Sequence, residues 1–290
     1  MSLLRLYDLP APAKVNLFLH VVGRRADGYH LLQSVFMLID WCDRLHVERR
    51  GDGRIEREDI RPGNLPAEDL CVRAARALQQ ATGCTLGARI TLDKHLPAQA
   101  GLGGGSSDAA TTLLALNRLW GLNLPRAELA RIGLALGADV PFFIGGRNAW
   151  VEGIGEHITP LSLPAGRLVV VKPPGGASTP DIFGSPALKR DSETATIQGF
   201  AANSSSNLEA CMAFGRNDLQ PVAQALCPEV GECIDWLASQ GLSARMSGSG
   251  TAVFAALPES VTALDEAPNG WQVRVCSNMD VHPLADWCAD

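Results

Sequence analysis

The densest run of chemically useful residues in this 290-residue chain is Pro97-Ala98-Gln99-Ala100-Gly101-Leu102-Gly103-Gly104-Gly105-Ser106-Ser107-Asp108. Lacking side chains, Gly101, Gly103, Gly104 and Gly105 let backbone N–H groups approach a ligand closely. Ser106-Ser107-Asp108 predicts a helix start directly afterwards. Loop amides and the positive end of a helix together make an anion site, most often for phosphate. Two better-known phosphate signatures fail. A dinucleotide fingerprint needs glycine at 106, where serine stands, and a P-loop needs Gly-Lys, a pair the chain lacks. The competing reading is a flexible loop ahead of a capped helix.

Four further positions carry a choice. Asp139 lies between Ala138 and Val140-Pro141 in an apolar turn, where a carboxylate is paired, functional or a turn cap. Lys14 sits in a strand whose other face is aliphatic, so it either faces solvent or lines a site. Tyr29-His30 follows the Asp27-Gly28 turn; the pair is either surface or binding, and tyrosine occurs only twice in the chain. Ser247-Gly-Ser-Gly250 is either a second phosphate-contacting loop or a hairpin turn.

The elements that must position these residues are legible in outline. Alternation predicts a strand from Ala13 to Val22, with Val15, Leu17, Leu19 and Val21 on one face and Lys14, Asn16, Phe18 and His20 on the other. A return strand is expected over His30–Glu48. Asp69 predicts an N-cap for a helix through Ala81, ended by Gly83. Further expectations are a strand at Ala88–Leu92, helices at Asp108–Trp120 and Arg126–Leu136, and a tight loop at Gly137–Gly146. Beyond a strand at Arg167–Lys172, the segment 184–206 reads as a loop or mobile connection. Helices near 207–214 and 229–239, strands at 243–246 and 252–256, and a helix–strand pair over 259–276 complete the list. Strands and helices mix irregularly, so the class is α+β. The boundary falls between Glu156 and Arg167, giving domains 1–158 and 159–290, with no internal repeat.

The charge balance is 25 Lys and Arg against 31 Asp and Glu, which argues against a polyanion such as nucleic acid as partner. No apolar run approaches the 20 residues of a membrane span. Arg5 and Asp8 interrupt the apolar start, so no signal peptide is expected. The eight cysteines show no C-x-x-C spacing and read as reduced thiols of a cytoplasmic protein.

Pro12-Ala-Lys-Val-Asn16, Leu102-Gly-Gly-Gly-Ser-Ser-Asp-Ala109 and Met246-Ser-Gly-Ser-Gly250 together resemble the three-motif signature of the GHMP small-molecule kinases. Their order and spacing match along nearly the whole chain. Gly23-Arg-Arg-x-Asp-Gly-Tyr-His30 and Gly137-Ala-Asp-Val-Pro-Phe142 are similar to one branch, whose acceptor is an erythritol unit carrying cytidine diphosphate. The resemblance implies a nucleotide-binding domain and a ferredoxin-like C-terminal domain with the site in the cleft between. It implies ATP and Mg²⁺, no metal ligand assigned in the protein, and γ-phosphoryl transfer to the 2-hydroxyl in non-mevalonate isoprenoid synthesis. It makes Asp139 the general base, Lys14 its electrostatic partner and Pro97 to Ser107 the ATP loop. Asn16 would lie near the methylerythritol, with Thr179-Pro180 lining the same pocket. Tyr29 and Phe183 would sandwich the cytosine, and His30 would read its polar edge. The same frame implies a monomer or homodimer. Two positions depart from the pattern: Gln99-Ala100, where many members have smaller residues, and Asp69, where the family usually has Asn near the adenine.

Overall fold

The computed structural model describes residues 3–61, 66–204 and 207–290. Met1-Ser2, and 205–206 at the end of the predicted connection, lie outside them. The chain opens with a long antiparallel ribbon, β1 (Arg5–Arg24) and β2 (His30–Arg50). After β3 (Ile55–Asp59), helix α1 (Leu70–Thr82) begins as expected: the Asp69 side chain accepts from Val72 N, and Gly83 closes the helix in the left-handed conformation. β4 (Gly87–Asp93) pairs with β2 on one side and, in parallel, with β3 on the other. Helices α2 (Gly104–Leu119), α3 (Arg126–Leu134) and α4 (Val140–Gly145) then pack with α1 over this sheet. β5 (Ala149–Gly153) and β6 (His157–Pro160) extend it from β2.

The second half is built on four antiparallel strands in the order β10-β7-β9-β8: β7 (Arg167–Lys172), β8 (Ala244–Met246), β9 (Val253–Ala256) and β10 (Gln272–Met279). Between β7 and β8 come α5 (Thr179–Gly184), α6 (Ile197–Ser204), α7 (Leu208–Ala213), α8 (Gln220–Leu226) and α9 (Glu229–Ser239). Val169, Val171, Val253 and Ala255 meet Val222, Ala223, Val230, Cys233 and Leu237 of α8 and α9 in one core. β10 then returns to β2, pairing Asn278 with Ile39 and Met279 with Leu38, and residues beyond it pack on the first half.

Five expectations need correction. α2 starts at Gly104, not Asp108. Glycine is a poor helix former, but the turn proper ends at Gly103, and the glycines after it are helical. The stretch expected as a tight loop at 137–146 contains α4, favoured by Pro141 in its first turn. The connection 184–206 contains α6. Thr196 Oγ1 caps its Gly199 N–H, and Phe200 is buried against Phe18 and Trp150. No helix forms over 259–271; of its apolar side chains Val261, Leu264 and Trp271 are only half-buried against the core. The simple alternation of β1 also fails. An irregularity between Asn16 and Leu19 breaks the ladder, sending Val15, Leu17 and Phe18 into one core and Leu19 and Val21 into another.

Candidate active site

The two glycine segments are packed backbone to backbone. Gly101 has φ +72°, and a Cβ there would lie 2.0 Å from the Ser247 carbonyl oxygen. Thr251 N donates to the Gln99 carbonyl and Ala252 N to that of Ala100, while Ser247 Oγ donates to the Gly101 carbonyl. The Ser247–Gly250 turn therefore does join two hairpin strands, and it also braces the first loop. Gly103, with φ +70°, rests against the Phe143 ring and the Lys14 stem, and it gives α2 no side-chain cap. The first-turn amides of α2 are thus left to an external acceptor.

A cavity of about 400 Å³ opens over this loop, lined by Pro97, Ala98, Gln99, Gly101 and Gly103–Gly105 together with Asp69, Arg73 and Lys94. Asp69 is committed there to Val72 N and, at 3.2 Å, to Arg57. A second cavity of about 370 Å³ continues from the loop past Ser178, Thr179, Pro180 and Ser249. A third, of about 300 Å³, is walled by Asn16, Leu32, Ser34, Phe36, Ile154, Phe183 and Gly248. Lys14 and Asp139 line both the second and the third.

Backbone pairing fixes Lys14. Its N–H donates to the Leu102 carbonyl, tying β1 to the glycine loop. The side chain is only 5% exposed, with Nζ 3.6 Å from Asp139 Oδ2, donating to Asn16 Oδ1 and lying over the Phe36 ring. Burial lowers the Lys14 pKa, and the Asp139 carboxylate opposes that shift. Asn16 in turn donates from Nδ2 to Ser34 Oγ at 2.9 Å. Asp139 precedes α4 but its side chain makes no capping bond, which leaves its carboxylate available. Lys14 is not solvent-exposed, and Asp139 is not a cap.

Thr179 Oγ1 lies 2.6 Å from Ser249 Oγ across the second cavity. At the far wall of the third, Phe183 carries the His30 ring at a centroid distance of 4.9 Å. Tyr29 stands apart, 60% exposed and outside the cavity lining. Ser106 and Ser107 lie in the first turn of α2, and neither lines a cavity wall.

Sequence reasoning missed Lys94, whose Nζ bonds both Asp43 and Asp108 beneath the first cavity. Asp43 also accepts from His95 N and Leu96 N, so it anchors the approach to the glycine loop. Burial pushes the Asp108 carboxyl from its ordinary 3.8 up to about 8, with Asp43 adding to the rise against the pull of Lys94. The folded protein therefore keeps a proton that the unfolded chain releases above about pH 4. Stability should fall as pH rises from the ordinary carboxyl range toward 8. Denaturant titrations from pH 5 to 9 should show this slope in the parent and a flatter one in Asp108→Asn. A parent already flat over that range would sink the assignment.

A glycine-built anion cradle facing a buried lysine paired with a half-buried aspartate, with a second cavity beyond it, is the arrangement of a small-molecule kinase. The profile of the GHMP kinases N terminal domain matches residues 69–147, and that of the GHMP kinases C terminal matches 196–267. A curated relative from Paracidovorax citrulli, a 4-diphosphocytidyl-2-C-methyl-D-erythritol kinase, is 65% identical over 98% of each chain. A crystal structure of a 4-(cytidine 5'-diphospho)-2C-methyl-D-erythritol kinase, 34% identical, superposes with a TM-score of 0.77 over 93% of this chain and 98% of the other. A homoserine kinase from Cytophaga hutchinsonii shares the fold at 14% identity, with a TM-score of 0.68 over 96% and 95%. The chain belongs to the GHMP kinases and, within them, to the family formed by the 4-diphosphocytidyl-2-C-methyl-D-erythritol kinases. Among the described residues no helix is long and apolar enough to cross a membrane.

Proposed function

We propose that the chain transfers the γ-phosphoryl group of ATP to the 2-hydroxyl of 4-diphosphocytidyl-2-C-methyl-D-erythritol. The products are the 2-phosphate and ADP, on the non-mevalonate (methylerythritol phosphate) route to isoprenoid precursors. The observation that carries this reading is that Lys14 and Asp139 line both the passage from the glycine loop and the third cavity. A hydroxyl in one and a phosphoryl group in the other would meet at that pair.

ATP fits the first cavity because a glycine cradle and uncapped helix amides suit a polyphosphate. The nucleotide would bring Mg²⁺ with it, and the ion would offset phosphate charge; the described residues show no group of three His, Cys, Asp or Glu that could hold a metal ion. Asp139 takes the hydroxyl proton as the acceptor oxygen bonds to phosphorus, a contribution of typically 10²–10⁴-fold. Lys14, 3.6 Å from Asp139, opposes the charge developing on that oxygen. Asn16 orients the polyol, and Thr179 and Pro180 line its path. Phe183 and Tyr29 flank the cytosine, with Tyr29 closing from its exposed position, and His30 reads the polar edge. We assign the domain division to 158/159, between β6 and β7, and place the enzyme in the cytoplasm as a monomer or homodimer.

The test is ADP release with the cytidine substrate beside homoserine and mevalonate. Turnover confined to the cytidine compound is expected. Turnover of either simple alcohol in its place would replace the substrate, and ATP binding without ADP release from any would leave a sensor on a kinase scaffold.

A further inference from the structure

Arg190 commits four of its five N–H donors beside the third cavity, behind Phe183; neither Arg190 nor His30 lines the cavity itself. Nη1 donates to the Leu188 carbonyl at 2.9 Å, and Nη2 to the carbonyls of Phe183 at 3.0 Å and Ser185 at 2.8 Å. These bonds fix the turn that follows α5 and so the placement of Phe183, which lines the cavity. Nε donates to His30 Nε2 at 3.0 Å. A guanidinium nitrogen can only donate, because the group stays protonated in proteins. His30 Nε2 must therefore be the lone-pair nitrogen. A neutral imidazole that accepts at Nε2 carries its proton on Nδ1. Burial lowers the His30 pKa, and the neighbouring Arg190 and Arg24 lower it further, which keeps the ring neutral. Among the described residues no protein group takes the Nδ1 proton.

We infer that Arg190 is a positioning residue for base recognition: it fixes His30 as the Nδ1–H tautomer and holds Phe183 beside it. This rests on the assignment of the third cavity to the cytidine-bearing acceptor. The His30 Nδ1–H donor then stands beside the aromatic face of Phe183, the residue of this group that lines the cavity. A pyrimidine whose ring nitrogen and neighbouring carbonyl both accept, as in cytosine, suits that donor. Uracil, which presents an N–H at the ring nitrogen, suits it less. Arg190 supplies this selectivity without touching the base.

Two measurements test the inference. In ¹⁵N-labelled enzyme, long-range proton–nitrogen spectra report which ring nitrogen of His30 is protonated, the signal being assigned by its loss in His30→Gln. A neutral ring with the proton on Nδ1 is expected; a proton on Nε2, or on both nitrogens at neutral pH, overturns the inference in the unaltered protein. In Arg190→Met the ring should lose the fixed tautomer. KM for the cytidine substrate should rise about 3–10-fold, the equivalent of one neutral hydrogen bond, with kcat and the KM for ATP little changed. Inhibition by CDP should weaken toward that by UDP. Arg190→Lys, which keeps the charge but not the planar fork, should behave like Arg190→Met; full rescue by lysine would make charge alone responsible and overturn the positioning role. Absence of kinase activity toward the cytidine substrate in the parent refutes the functional assignment instead. Activity with an unmoved KM and inhibitor ratio in Arg190→Met refutes only the role of Arg190.

Discussion

Asp139→Asn is expected to lower turnover by roughly 10²–10⁴-fold while leaving ATP affinity nearly unchanged. The Asp139 side chain caps no helix; the substitution removes the charge facing buried Lys14, which retains Asn16 as an acceptor. Lys14→Met should slow turnover as well. Both groups act on one developing charge, so the double variant should lose much less than the product of the single losses. An alternative mechanism has the loose transition state of phosphoryl transfer needing little help from a base, with Asp139 only orienting the hydroxyl. The pH dependence of turnover separates the two. A base predicts that the acidic limb of the parent profile vanishes in Asp139→Asn, and an orienting group predicts that it stays. Near-parent turnover in Asp139→Asn would end both mechanisms.

Gly101→Ala is the second large effect, and it falls on stability as well as on ATP. The new Cβ would lie 2.0 Å from the Ser247 carbonyl oxygen and 2.8 Å from Gly250 N, all of it backbone that cannot swing aside. The positive φ at this position adds strain of its own. Together, strain and overpacking should cost about 2–5 kcal/mol, read as a lower denaturant midpoint. Gly104→Val is the contrast. A Cβ there meets the Lys94 ammonium at 3.2 Å and Leu96 at 3.3 Å, side chains that need to shift by only a few tenths of an ångström. That variant should stay folded and raise the KM for ATP well above that for the polyol. If Gly101→Ala matches the parent in midpoint and in ATP KM, the contact between the two glycine turns has no role in the site.

What could be read from the sequence was local. Asp69 and Gly83 marked both ends of α1 because capping chemistry needs only nearby residues. The glycine loop, Lys14 and Asp139 were marked by residue type and spacing. The start of α2 was misplaced because three-dimensional packing, rather than propensity, makes Gly104 and Gly105 helical. The Lys94–Asp43 pair left no trace, since its members are 51 residues apart and meet only through the β2–β4 register. Arg190 and His30, 160 residues apart, were equally invisible as a pair. The break in the β1 ladder after Asn16 was hidden too, because a bulge is set by the partner strand and leaves the apolar pattern intact.

The return of β10 to β2 also sets an order of events during synthesis. Leu38 and Ile39 have β1 on one side and pair with Met279 and Asn278 on the other, with Asn148 Oδ1 also accepting from Leu38 N. Arg126 likewise waits for the Ala285 carbonyl, 159 residues on, and for the Asp290 carboxylate, 164 residues on. At ribosomal speeds of about 5–20 residues per second, roughly 12–48 s separate the emergence of that strand edge from the strand that covers it. Such distant pairings slow folding and leave an unpaired edge open to other chains. A nascent-chain holdase should therefore raise the soluble yield more than a refolding chaperone acting after release. Removing residues 279–290 should harm the first half of the molecule, to which those residues are distant in sequence and adjacent in space.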